Sequence, residues 1–151
     1  MAMQADPVPP ASHSASAACR VPAAQALAFL ADGLQLGTWA LGCWETESVG
    51  DGVVRGHSLF DGSASWVRPV ADADRMTVVY HVGGAHYALH PRISAVVEDD
   101  PAGCRISLHA WRTAGMDDAR WLRLVRCHEL EVLLIQARLE RRAATASPRI
   151  L

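Results

Sequence analysis

The stretch Asp117–Arg142, DDARWLRLVRCHELEVLLIQARLERR, decides the fold. Trp121, Val125, His128, Val132, Ile135 and Leu139 recur at steps of four and three, the spacing that places side chains on one face of an α-helix. Leu122 and Leu124 flank this stripe, while Arg123, Arg126, Glu129, Arg138 and Glu140 fall to its sides and back. Asp117 and Asp118 stand where carboxylates cap free N–H groups and suit the positive end of the helix dipole; Arg138, Arg141 and Arg142 crowd the other end, where cations are favoured. Such a helix is roughly 39 Å long, enough to cross a small domain. His128 is its anomaly: an imidazole at the middle of the apolar stripe, where a leucine is expected.

Upstream of this helix, from Gly42 to Arg112, the period changes to two and turn signals recur. The spacing predicts strands over Cys43–Val49, Val53–Phe60, Ala64–Val70, Arg75–Val82, Arg92–Glu98 and Cys104–Arg112. They are separated by Gly50-Asp51-Gly52, Asp61-Gly62, Asp72-Ala73-Asp74, Gly83-Gly84 and Asp99–Gly103. Ile106, Leu108 and Ala110 alternate with Arg105, Ser107 and His109, so each strand offers one face to a core and one to water. Before these strands, Pro22 opens a helical segment that Asp32-Gly33 stops, and Leu34–Trp39 forms a second short helix. Ser14–Val21 reads as a short edge strand. The order is therefore one strand, two short helices, about six antiparallel strands and one long helix. The fold class is α+β: a curved antiparallel sheet must cover its apolar face, and only the C-terminal helix is long enough to do so.

The chain of 151 residues is large enough for one domain with its own core. Three segments are expected: a disordered leader over 1–13, a single domain over 14–142, and a C-terminal tail over 143–151. The Ala-, Pro- and Ser-rich leader has no charged n-region or long apolar stretch and does not read as a secretory signal. A net charge of −2, with no basic patch interleaved with aromatics, disfavours nucleic acid, and no apolar run reaches membrane-spanning length. There is no lysine, which excludes Schiff-base chemistry at that side chain. Cys19, Cys43, Cys104 and Cys127 form no C-x-x-C pair and read as buried free thiols of a cytoplasmic protein. Glycine-rich nucleotide loops, a nucleophile elbow and paired zinc motifs are all missing, so no cofactor is expected.

Val21-Pro22-Ala23-Ala24, Ala28-Phe29-Leu30-Ala31-Asp32, Trp39, Gly42 and the Gly50–Gly56 segment, followed by the terminal amphipathic helix, resemble the SRPBCC, or START-like, helix-grip superfamily of polyketide cyclase/dehydrase-like and lipid-transfer-like proteins. The resemblance covers roughly residues 14–142. It implies a cavity between sheet and long helix that holds a small hydrophobic or aromatic molecule. It does not imply a reaction, because the superfamily contains cyclases, hydrolases, lyases, carriers and receptors.

Within that frame His128 is the first candidate, either as an acid/base group facing a ligand or as a core histidine bonded to the backbone. Glu131, one turn on, either orients His128 or is solvated beside Arg138; the second reading is preferred. His57 and Tyr80 are the accompanying catalytic candidates. Trp66, Arg68, Arg92, Leu124, Val132 and Trp121 are the candidate ligand contacts, with Arg92 suited to a ligand carboxylate. Which face of the middle strands points inward stays open: His57, Trp66 and Arg68 line an amphipathic pocket if they point in, and form a solvated face if they point out. His81, His86 and His90 invite a metal, but Gly83-Gly84 and Pro91 break the spacing, and a loop at the cavity mouth is the preferred reading. The expected function is binding of a small hydrophobic or aromatic molecule between the sheet and the C-terminal helix, which cofactor-free acid/base chemistry of the cyclase/dehydrase or lyase type could accompany. The alternatives are a non-catalytic carrier or sensor and a partner-binding module that includes a self-dimer.

Overall fold

In the computed structural model, which describes residues 11–146, small inward residues Ala15, Ala17 and Cys19 alternate with exposed Ser14 and Ser16 along the first strand, β1 (Ser12–Cys19). β1 thus takes in Ser12 and His13, which were expected to belong to the leader; residues 1–10 of that leader, and 147–151 of the tail, lie outside the described residues. Pro22 then stands at the N-cap of α1 (Ala23–Ala31) with φ −59°, a value that suits helix entry. Asp32 separates α1 from α2 (Gly33–Leu36) and caps the latter by accepting the Leu34 N–H at 2.9 Å.

Six further strands follow: β2 (Trp44–Gly50), β3 (Val53–His57), β4 (Ala64–Asp72), β5 (Thr77–Gly83), β6 (His90–Asp100) and β7 (Gly103–Trp111). They form one antiparallel sheet in the order β1-β7-β6-β5-β4-β3-β2, so the meander β2–β7 is closed off by β1 at its far edge. Asp51 and Gly52, at φ 56° and 72°, make the two-residue β2–β3 turn, whose positive φ at both central positions matches the twist of the strands. Between β4 and β5 the Asp72 side chain accepts the N–H groups of Asp74 and Arg75 at 3.1 and 3.2 Å.

The long helix α3 runs Asp118–Ala146. Asp117 caps it by accepting the Arg120 N–H at 2.8 Å, as its position in the sequence implies. Arg112, just past β7, fixes the entry: it pairs with Asp118 at 2.7 Å and donates to the Met116 carbonyl. The helix continues four residues past Arg142 into the expected tail, because Ala143 and Ala144 are good helix formers and Thr145 Oγ1 turns back to the Arg142 carbonyl at 3.0 Å.

Two apolar clusters hold α3 to the sheet. In the larger, Val132, Ile135 and Leu139 pack with β1, α1 and the central strands, where Ala15 and Ala17 leave room for the helix to approach. In the smaller, Trp121 packs with Met116, Ala110, Leu124 and Val125 near the start of the helix. This is the α+β helix-grip arrangement expected: a curved seven-stranded sheet with a long C-terminal helix and two short helices after the first strand. No helix among the described residues is long and apolar enough to cross a membrane.

Candidate functional site

A cavity of about 310 Å³ lies between the sheet, the α2–β2 connection and α3. Its α3 wall is the stripe Arg120, Leu124, Cys127 and Glu131, joined by Arg123 and His128. That stripe is the neighbour of the apolar one, which faces the core. Tyr80, Val67 and Leu108 form the sheet side, and Trp39, Ala40 and Cys43 close it from the α2–β2 connection. Its open end is marked by lining residues that are themselves exposed: Phe60, Arg120 and Arg123.

The polar atoms at the closed end are few. Tyr80 is 2% exposed; its hydroxyl donates to the Leu30 carbonyl at 2.7 Å, and its ring meets Trp39 edge-on at 5.8 Å. Burial pushes the phenol well above its ordinary range, so Tyr80 stays protonated and ties α1 to the sheet. Trp39 is 3% exposed, and its Nε1–H has no partner among the described residues. His128 is 2% exposed, its Nδ1 has no partner among the described residues, and burial, aided by His13 nearby, pulls the imidazole down to about 4. Glu131 is 6% exposed; one of its oxygens accepts the Leu41 N–H at 3.0 Å, yet burial outweighs that bond and pushes the carboxyl up to about 8.

His128 Nε2 and Glu131 Oε1 are 3.8 Å apart, too far for a hydrogen bond. At neutral pH both groups are therefore in their uncharged forms, a base without its proton beside an acid that keeps its own. Two titratable groups pushed in opposite directions are the arrangement from which acid and base roles are assigned. The solvated reading of Glu131 is overturned: its carboxyl turns inward and holds the α2–β2 connection against α3.

This pair makes stability depend on pH with opposite signs. Glu131 keeps in the folded chain a proton that the unfolded chain releases near 4.5, so its contribution is full below 4.5 and is lost as pH rises through about 8. For His128 the contribution is full above 6.5 and is lost as pH falls through about 4. The two slopes cancel between 4.5 and 6.5, and above that Glu131 acts alone. Replacing Glu131 by Gln keeps an acceptor for Leu41 but removes the titration. In urea denaturation from pH 6.5 to 8 the natural chain is expected to lose stability relative to the variant by up to about 1.4 kcal/mol per pH unit. Parallel stability curves for the two proteins would show that Glu131 titrates normally.

Of the residues singled out from sequence, the structure brings Tyr80, Leu124 and His128 together around the cavity. His57, Trp66 and Arg68 lie on the other side of the sheet. Val54, Gly56, Ser65 and Val67 point inward instead, while the Arg55 guanidinium sits over the Trp66 ring at 5.4 Å and Arg68 Nε donates to the Asp51 carbonyl. Arg92 alternates with Ile93, which lines the cavity, and so also faces outward. Trp121 and Val132 are buried in the two apolar clusters rather than in the cavity wall. Trp39, Glu131, Arg120 and Arg123 are lining residues that sequence reasoning left out of the site.

His81, His86 and His90 are not lining residues, and among the described residues no group of three or more His, Cys, Asp or Glu is placed to hold a metal. Gly83 is there for space, because a β-carbon would collide with the Ala88 carbonyl. All four cysteines are free; Cys127 is only partly buried, and Cys19 and Cys104 face each other across β1 and β7.

No protein-family model matches the chain, and no curated protein matches it. Solved structures do. An uncharacterised protein from Bacillus thuringiensis is 13% identical, with a TM-score of 0.65 over 85% of this chain and 98% of that one. The Zhui aromatase/cyclase from Streptomyces sp. R1128 is 21% identical, with a TM-score of 0.63 over 91% of this chain and 97% of that one. The di-domain aromatase/cyclase BexL of the BE-7585A biosynthetic pathway is 16% identical at a TM-score of 0.61; the match covers 91% of this chain and 47% of that one. The chain thus shares its helix-grip fold with these aromatase/cyclases.

Proposed function

We propose that this helix-grip chain binds a small, flat, oxygen-bearing apolar molecule in the cavity beneath α3 and acts on it by cofactor-free proton transfer of the cyclisation–dehydration type. One observation carries this reading. His128 Nδ1 and Trp39 Nε1, both buried in the cavity wall, have no partner among the described residues, next to a carboxyl that holds its proton. Buried polar atoms are nearly always paired, so a bound oxygen substituent is the group that completes them. A volume of about 310 Å³ is at the low end for ligand pockets and suits a one- or two-ring molecule.

The chemistry follows from the two protonation states. Trp39 Nε1–H donates to a carbonyl oxygen and favours loss of a proton from the neighbouring carbon. His128 Nδ1 takes that proton as the C–H bond breaks. The Glu131 carboxyl gives its own proton to a departing hydroxyl, so water leaves as the double bond forms. The resulting imidazolium and carboxylate face each other, and their attraction in a water-poor site lowers the cost of the charged state. Proton return from one to the other restores the neutral pair. The aromatase/cyclase structures of the same fold support this class of reaction. The second reading, a carrier without turnover, is favoured by the weakness of an imidazole held near 4 as a base.

Calorimetric titration of 2-naphthol and naphthalene into the natural chain and Trp39→Phe tests the binding site. The variant keeps an aromatic ring and loses the N–H. Its preference for naphthol over naphthalene is expected to fall about tenfold, or about 1.4 kcal/mol. An unchanged preference would remove Trp39 from the site, and no binding of either compound by the natural chain would remove the site itself.

A further inference from the structure

Arg120 and Arg123 stand at the open end of the same cavity, three residues apart in the first turns of α3. Both are exposed, and among the described residues neither guanidinium has a carboxylate partner. The two nearby acids are engaged elsewhere: Asp117 caps the helix, and Asp118 pairs with Arg112. Cations near a helix N-terminus oppose the dipole, so this placement does not serve the helix. They are also the permanent cations of the cavity wall; its closed end offers His128, Trp39 and Glu131. A second observation points to a ligand that reaches both ends, because His128 Nδ1 is buried and, among the described residues, unpartnered. Along the helix axis, five residues separate Arg123 from His128 and eight separate Arg120 from it, or about 7.5 and 12 Å.

We infer that the ligand is an elongated, flat monoanion: its oxygen-bearing ring end lies beside Trp39 and His128, and its carboxylate lies at the mouth between Arg120 and Arg123. The planar guanidinium fork is suited to a carboxylate, and leaving that charge at the water-accessible end avoids burying it next to Glu131. The inference rests on the cavity being a binding site and adds the class of molecule and its direction of entry.

The test uses 6-hydroxy-2-naphthoate, which carries its hydroxyl and carboxylate at opposite ends, its neutral methyl ester, and 3-hydroxy-2-naphthoate, in which the two groups are adjacent. Binding is measured by calorimetry at low and high ionic strength, with the natural chain and with the double variant Arg120→Gln/Arg123→Gln. The natural chain is expected to bind the 6-hydroxy acid about tenfold more tightly than its ester at low salt, with the preference shrinking as salt rises. It should favour the 6-hydroxy over the 3-hydroxy acid. The double variant should bind the ester as before and lose the preference for the acid. Equal affinity of the natural chain for acid and ester, or a preference that survives in the double variant, overturns the inference. If 2-naphthol binds and the acid is not preferred, only this inference falls. If none of these compounds binds, the cavity reading falls and this inference falls with it.

Discussion

Replacing His128 by Leu is expected to raise the stability of the ligand-free protein while removing its activity. The imidazole occupies a position that the helical pattern assigns to an apolar residue, and it is 2% exposed with Nδ1 unpartnered. An unsatisfied buried polar atom costs about 1–3 kcal/mol, and Leu fills a similar volume without that cost, so a gain of about 1 kcal/mol or more is expected in thermal or urea denaturation. The gain should grow toward acid. The folded chain resists protonating His128 until about 4, whereas the unfolded chain takes up that proton near 6.5; in the natural protein this loss offsets the gain from Glu131 as pH falls, while the Leu variant keeps only the Glu131 gain. Turnover of a cyclising substrate should fall about 10²–10⁴-fold if His128 moves the proton. A stabilised, inactive variant is the signature of a residue kept for chemistry at the expense of packing. A destabilised variant that stays active makes His128 structural; a stabilised variant that still binds ligand but never turned it over in its natural form points to the carrier.

Ile135→Ala is expected to cost about 2–5 kcal/mol, whereas Leu124→Ala, only eleven positions earlier on the same helix, costs about 1 kcal/mol or less. Ile135 is fully buried in the larger cluster, so truncation opens a hole with neighbours on every side. Leu124 is half-buried and borders existing space, so truncation enlarges a cavity already there and leaves much less packing to lose. For a domain of this size the first change should lower Tm by roughly 5–15 °C and the second by a few degrees at most. The same Leu124 variant should accept bulkier ring compounds than the natural chain. Equal losses at the two sites would mean that α3 is packed alike along its length and that the cavity is not a stable feature.

These contrasts show where the sequence was legible. The strands of the meander and their turns were readable because alternation and Gly/Asp turn chemistry are local. Asp51-Gly52 needs positive φ at two successive positions, and that requirement is visible in the residues alone. The edge strand β1 was readable from Ser14 onward but not at Ser12 and His13, because polar residues next to an Ala/Pro/Ser run carry no strand signal. The direction of His57, Trp66 and Arg68 was undecided for a different reason. Both faces of β3 and β4 carry mixed side chains, and the large aromatic and cationic groups turned out to stack on one another outside the sheet, as Arg55 does on Trp66.

The long helix shows the division most clearly. Periodicity alone determined that Asp118–Arg142 is helical, that Val132, Ile135 and Leu139 face a core, and that His128 is out of place among them. Those are consequences of side-chain spacing and hydrophobicity, which every residue carries with it. Only the tertiary structure decided that a second stripe, Arg120–Leu124–Cys127–Glu131, faces a cavity, and that Glu131 turns inward to meet the Leu41 N–H. A core face must be apolar and so announces itself. A cavity wall need not be, because its polar groups are partnered by residues distant in the chain or by what the cavity holds.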